Sequence, residues 1–203
     1  MTRGRLVTGL VCVFLVLVVM GSPPPPPVRQ PLKISGLETG DIILVGTDRV
    51  FWAVMASTWS TPKHRFGHAG IVIIGRDHQP YVVHAGGSPT NGDAPVRSEP
   101  LNSFLYPIDR AGIYRLKASI AERQAVAAAA EHFIKEGAVF DRDFTLNDRH
   151  RLYCTALVWR AVLEGAHEDI IPVKRNYGGK MIVTLADIER SRELREITYV
   201  VRP

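Results

Sequence analysis

The chain is poor in cysteine: 203 residues contain two, Cys12 and Cys154. Cys12 sits inside an N-terminal apolar run, so the remainder holds a single thiol and a disulfide framework is excluded. Long apolar runs are also lacking. The longest, Leu6–Met20, is softened only by Thr8, Gly9 and Cys12 and falls short of the roughly 20 residues that a spanning helix needs. Charge of one sign is scarce. There are 25 basic and 20 acidic side chains, and setting aside residues 1–21 leaves 23 and 20. Nucleic-acid binders concentrate basic residues in a stripe, so nucleic acid is not an expected partner. No internal repeat is visible. What is present is an ordinary globular composition, 46% apolar and 22% charged, enough for one hydrophobic core and against disorder.

Arg3 and Arg5 followed by the apolar run form the pattern of a secretory signal. Val19 and Gly21 are small enough for cleavage after Gly21, and the alternative is an uncleaved membrane anchor. Cys12 lies within the run, not after it, so it does not read as a lipid-attachment site. Pro23–Pro27 cannot be helical and favour a stiff polyproline II spacer. The expected organisation is a signal or anchor at 1–21, a proline-rich linker at 22–31 and one domain at 32–203. Export to the periplasm, or anchoring in the inner membrane facing outward, follows from that reading. An unpaired cysteine in an exported domain is either buried and inert or retained for its chemistry.

Within the domain, Ile42–Val45 reads as a short buried strand. Arg49–Trp59 has helical spacing, through Val50, Phe51, Val54 and Met55. Ala69–Ile74 and Tyr81–Ala85 flank the polar Arg76–Pro80 and predict a hairpin. Gly86–Ala94 reads as a flexible loop and Gly112–Leu116 as a further strand. Ser119 with Glu122 forms a capping box opening a helix to about Lys135. A second helix covers Tyr153–Glu164 and is expected to end at Gly165. Thr184 is placed to cap a short helix through Ile188, and Ile197–Val201 to close the sheet. Strands and helices are partly segregated, which is the α+β pattern.

The chemistry-bearing candidates are His68 at a strand start, His84 near the end of the partner strand, and Cys154 at a helix start. The hairpin runs the two histidines toward each other, although their distances from His78 differ. A helix N-terminus carries unpaired N–H groups that favour a thiolate and can receive an oxyanion. A neighbouring histidine supplies a base. The bland alternatives are a small buried cysteine and satisfied strand histidines. His64 and His68 are four apart, but Pro62 and the following strand oppose a helical zinc pair, so no metal and no other cofactor is expected. Arg149, His150 and Arg151 form a basic cluster, either solvated or suited to an acidic group. Phe51, Trp52 and Trp59 read as core or cleft lining.

Five segments in order, GDII (Gly40–Ile43), GHAGIVI (Gly67–Ile73), YVVHA (Tyr81–Ala85), FDRDF (Phe140–Phe144) and YCTALVW (Tyr153–Trp159), resemble the permuted papain-like amidases. More narrowly they resemble the YiiX/YaeF-like branch of the NlpC-related superfamily. The resemblance implies a circularly permuted papain-like fold, an antiparallel sheet packed against helices. It implies Cys154 as nucleophile, His68 as general base, and His84 where the family commonly has a glutamate that orients the base. Thr155 and Ala156 stand where the family often has Ser and Glu. Asp141 matches a loop-positioning residue and, with Tyr153, is a candidate for substrate contact. The implied activity is a cell-envelope thiol amidase or peptidase acting on a peptide or acyl substrate. The rivals are a lecithin retinol acyltransferase-like acyltransferase or lipid esterase, and a non-catalytic envelope-binding module.

Overall fold

A computed structural model describes residues 30, 32–47, 65–87 and 93–202. The expected signal, most of the linker, the Arg49–Trp59 helix, His64 and the aromatics Phe51, Trp52 and Trp59 lie outside these residues. Among the described residues no helix is long and apolar enough to cross a membrane.

The chain order is β1 (Ile42–Gly46), β2 (His68–Ile74), β3 (Pro80–His84), β4 (Arg97–Pro100), α1 (Leu101–Leu105), β5 (Arg110–Leu116), α2 (Ile120–Lys135), β6 (Val139–Phe140), β7 (Arg151–Leu152), α3 (Cys154–Ala166), β8 (Arg175–Tyr177), β9 (Lys180–Ile182), α4 (Leu185–Glu189) and β10 (Leu194–Val201). Six strands form one antiparallel sheet in the order β10-β5-β1-β2-β3-β4. On one face Ile42, Leu44, Ala69, Ile71 and Val83 pack against α2 and α3. On the other, Ile43, Val45, Val72 and Val82 pack against Leu101, Phe104 and Leu105 of α1. Both faces of the central strands are covered, which is why IILV and IVII are unbroken apolar runs and not alternating ones.

The Gly40–Asp41 motif is an anchor. Buried Asp41 receives Arg115 of β5 in a two-point contact, Nε to Oδ1 at 2.7 Å and Nη2 to Oδ2 at 2.9 Å. The geometry is the fork-on-carboxylate pairing that gives strong, directional ion pairs. The Ser119–Glu122 capping box opens α2 as expected, and Thr184 caps α4 with Asp187.

Two expectations change. Gly165 does not end α3, which continues to Ala166 and terminates at His167 with φ 56°. A side chain at Gly165 would lie 2.5 Å from Val126 Cα and 2.6 Å from the Ala125 carbonyl carbon, so this glycine lets two helix backbones touch. Residues 97–105, for which the sequence suggests no regular element, form β4 and α1. β4 is a four-residue edge strand with mostly exposed side chains, and so carries no burial period in its sequence.

Candidate active site

Cys154 is the first residue of α3, and its neighbours hold that turn in place. The Val183 amide donates to the Tyr153 hydroxyl at 2.9 Å, and Thr155 Oγ1 donates to the Val183 carbonyl at 2.6 Å. The approach to α3 is also fixed. Asp141, buried, accepts from the amides of Asp143 and Thr145 at 2.9 and 2.7 Å and from Thr145 Oγ1 at 3.0 Å. Arg149 of the basic cluster bridges Glu136 beyond α2 and Glu164 in α3, at 2.5 and 2.7 Å. Asp141 and Tyr153 thus spend their polar atoms on internal structure, and neither lines the cavity described below.

α3 packs across β2. The β2–β3 register ends at Ile71↔Val83, and beyond that end the Ala69 amide hydrogen-bonds the Cys154 sulfur, as do the amides of Thr155 and Cys154 itself. The Ala69 amide that meets the Cys154 sulfur thus comes from the residue after His68 in β2.

The register also explains the histidine pair. Ile71↔Val83 places His84 opposite Gly70, with His68 one diagonal step away on the same face. A Cβ at Gly70 would lie 3.3 Å from His84 Cβ. With no side chain there, His84 leans across the gap, and its Nδ1 meets His68 Nε2 at 2.9 Å. The unequal distances from His78 are thus absorbed by a diagonal contact and not by a bulge. The turn, residues 75–79, closes through His78 N to Gly75 O, with His78 at φ 59°. Phe104 of α1 packs against both imidazoles, at ring-centroid distances of 5.8 and 5.1 Å.

β4 adds two charged residues that the sequence reading did not single out. Arg97 pairs opposite His84 and Glu99 opposite Val82. Glu99 Oε1 lies 2.6 Å from His84 Nε2, off the direction of an aligned N–H bond. Only the β3–β4 pairing reveals this proximity. The segment VRSEP has neither β-branched alternation nor a metal-like spacing. A cavity of roughly 390 Å³ opens here, its lining including His68, His84, Arg97, Glu99, Ser103 and Phe104.

The electrostatics correct one expectation. Burial pushes the Cys154 thiol up to about 11, outweighing the three amides that favour its thiolate. Burial likewise holds His68 well below its ordinary value, with the Arg97 guanidinium and any protonation of His84 adding to it. His84 is pushed down to about 3 by burial and then by Arg97. Both directions disfavour a thiolate–imidazolium pair, against the expectation from the helix terminus alone.

Residues 36–191 match the permuted papain-like amidase enzymes, YaeF/YiiX, C92 family. Comparison with the curated proteins gave no match. Among solved structures, the crystal structure of metalloprotein yiiX from Escherichia coli O157:H7 aligns with a TM-score of 0.60 at 21% identity. The alignment covers 82% of this chain and 97% of that one. The fold is the permuted papain-like one, with the histidine strand preceding the cysteine helix. That structure's description as a metalloprotein concerns yiiX. Here, among the described residues, no group of three or more His, Cys, Asp or Glu side chains is placed to hold a metal ion. Both ring nitrogens of His84 already face other side chains.

Proposed function

Because the chain belongs to the YaeF/YiiX family of permuted papain-like amidases, a family of cysteine hydrolases, we propose that it cleaves an amide or ester bond through a thioester on Cys154. The observation that carries this reading is the 2.9 Å contact between His68 Nε2 and His84 Nδ1. It engages Nε2 of His68, and in this reading Nδ1 is the nitrogen that serves the thiol. In the acylation step the Cys154 sulfur attacks the carbonyl carbon while its proton passes to His68 Nδ1. The carbonyl oxygen becomes an oxyanion, received by backbone N–H groups at the start of α3. Collapse expels the amine or alcohol, which takes the proton from His68. Water, deprotonated by His68, then hydrolyses the thioester and restores the thiol. His84 holds the imidazole in the orientation this requires, the part played by the third member of a catalytic triad.

A neutral resting pair suits this scheme. The thiol loses its proton only as the new bond forms, so a group with a high pKa serves provided its base is neutral. The depressed His68 keeps that base neutral well into acid.

The substrate class belongs to the same proposal. The charged, apolar and proline-rich N-terminal pattern supports export and hence a peptide or acyl group of the cell envelope. Two experiments test the reading. Hydrolysis of p-nitrophenyl acetate and of a panel of envelope peptides should vanish in Cys154→Ala and His68→Ala while thermal unfolding stays cooperative. Turnover that survives Cys154→Ala would remove the thioester mechanism. A periplasm-dependent reporter fused after Pro31 should be active, and a fusion active only in the cytoplasm would remove the envelope substrate.

A further inference from the structure

We propose that Glu99 is a positioning residue that, through His84, fixes which nitrogen of His68 carries its proton. The inference rests on the thiol-hydrolase reading and extends its site by one residue from β4. For His68 to accept the Cys154 proton on Nδ1, its own proton must sit on Nε2. That N–H points at His84 Nδ1, 2.9 Å away, so Nδ1 of His84 must be the acceptor. A neutral imidazole carries one proton, and that of His84 is then on Nε2. The group nearest His84 Nε2 is Glu99 Oε1, 2.6 Å away and out of line with the N–H in this structure, an acceptor and never a donor when ionised. Each partner permits one tautomer of the next, and the chain of constraints ends with the lone pair on His68 Nδ1.

The surroundings exclude a competing assignment. His84 is 3% exposed, so bulk water does not supply an alternative acceptor for Nε2. Among the described residues the charged and titratable groups around His84 are His68 from β2 and Arg97 and Glu99 from β4. Arg97 has no acceptor and cannot take a proton from His84. Its guanidinium donates to the Gly86 carbonyl at 3.3 Å and lies 3.8 Å from Glu99. Phe104, packed against both rings, contributes no acceptor. Glu99 alone among them can select the Nε2–H form. A carboxylate orienter is therefore present, displaced by one residue along a relay: a histidine occupies the position the resemblance assigns to glutamate, and the glutamate stands behind it.

The test uses the protein labelled with ¹⁵N in its histidines, because ring nitrogen shifts report the tautomer without reference to turnover. In the unmodified protein at pH 7 both His68 and His84 should show the Nε2–H form. Glu99→Gln keeps an acceptor oxygen at similar volume, so both tautomers should be retained. Loss of the charge should move the acid limb of the p-nitrophenyl acetate kcat/KM profile to lower pH. Glu99→Ala removes the acceptor. It should give mixed tautomers at both histidines and lower kcat by about 100-fold, the lower end of the effect of a positioned acid–base partner, with KM within about twofold. Unchanged tautomers in Glu99→Ala, or Nδ1–H forms in the unmodified protein, overturn the inference. Loss of turnover in Glu99→Gln with intact tautomers and an unmoved pH profile also overturns it, since that would mark a merely structural role. Esterase activity surviving in Cys154→Ala would defeat the hydrolase reading and leave the tautomer result standing on its own.

Discussion

Gly70 is the position where a single methyl group should separate the two histidines. Its Cβ would lie 2.5 Å from Val82 Cγ1, 2.9 Å from the Val83 carbonyl oxygen and 3.3 Å from His84 Cβ. Carbon pairs rest near 3.5–4.0 Å, so the first contact is short by about 1 Å. The second is against backbone and cannot be relieved by a rotamer change. β3 must move away from β2, or His84 must turn out of the gap. Overpacking of this kind costs about 1–3 kcal/mol, which for a domain of this size lowers Tm by roughly 2–12 °C. The cost to function should be larger, because His84 Nδ1 has a 2.9 Å contact to lose. A misplacement of about 1 Å in a positioned group reduces rate by on the order of 10²-fold. Thermal unfolding followed by circular dichroism, with p-nitrophenyl acetate turnover on the same preparation, reads both effects. Gly70→Ala with parental Tm and parental kcat would refute the account of how the histidines meet.

Other outcomes follow from the same geometry. With its thiol near 11, against ~8.5 for a free cysteine, Cys154 should be alkylated by iodoacetamide at pH 7 about 300-fold more slowly than an unfolded control, the rate rising steeply with pH. Rapid labelling at pH 6–7 would instead indicate a preformed ion pair. The acid limb of kcat/KM should fall below pH 6.5, because the neutral base form of a depressed His68 persists as pH drops. Arg97→Gln removes a positive charge that helps depress both histidines, so that limb should move to higher pH, and an unmoved limb would exclude Arg97 from the site's electrostatics. Gly165→Ala forces a methyl into the α2 backbone and should destabilise by about 1–3 kcal/mol despite alanine's better helix propensity, measured as a shift in urea midpoint.

Much of the architecture was legible because its signals are local. The hairpin follows from two apolar runs around a polar turn, and the Ser119–Glu122 and Thr184 caps from short side-chain reach. The placement of Cys154 at a helix start and of the two histidines on adjacent strands was equally accessible. What escaped depends on pairing between distant segments. Glu99 has no distinctive neighbours in sequence, and its relation to His84 exists only once β4 has paired with β3. Gly165 has the composition of a helix stop, yet the contact with α2 makes it a helix interior residue. The balance at the thiol is hidden from the sequence for a similar reason. Helix-terminus amides are visible in sequence, whereas the burial that outweighs them is a property of α3 packed on β2.

The most direct test of the central claim is to trap the acyl-enzyme. Intact-mass spectrometry and peptide mapping of the protein quenched in acid during p-nitrophenyl acetate turnover should find an acetyl group on Cys154. His68→Ala should fail to acylate at neutral pH, and Cys154→Ala should carry no acetyl group during the reaction. An acetyl group on another residue, or turnover with no acyl group at Cys154 in any quenched sample, would contradict the account.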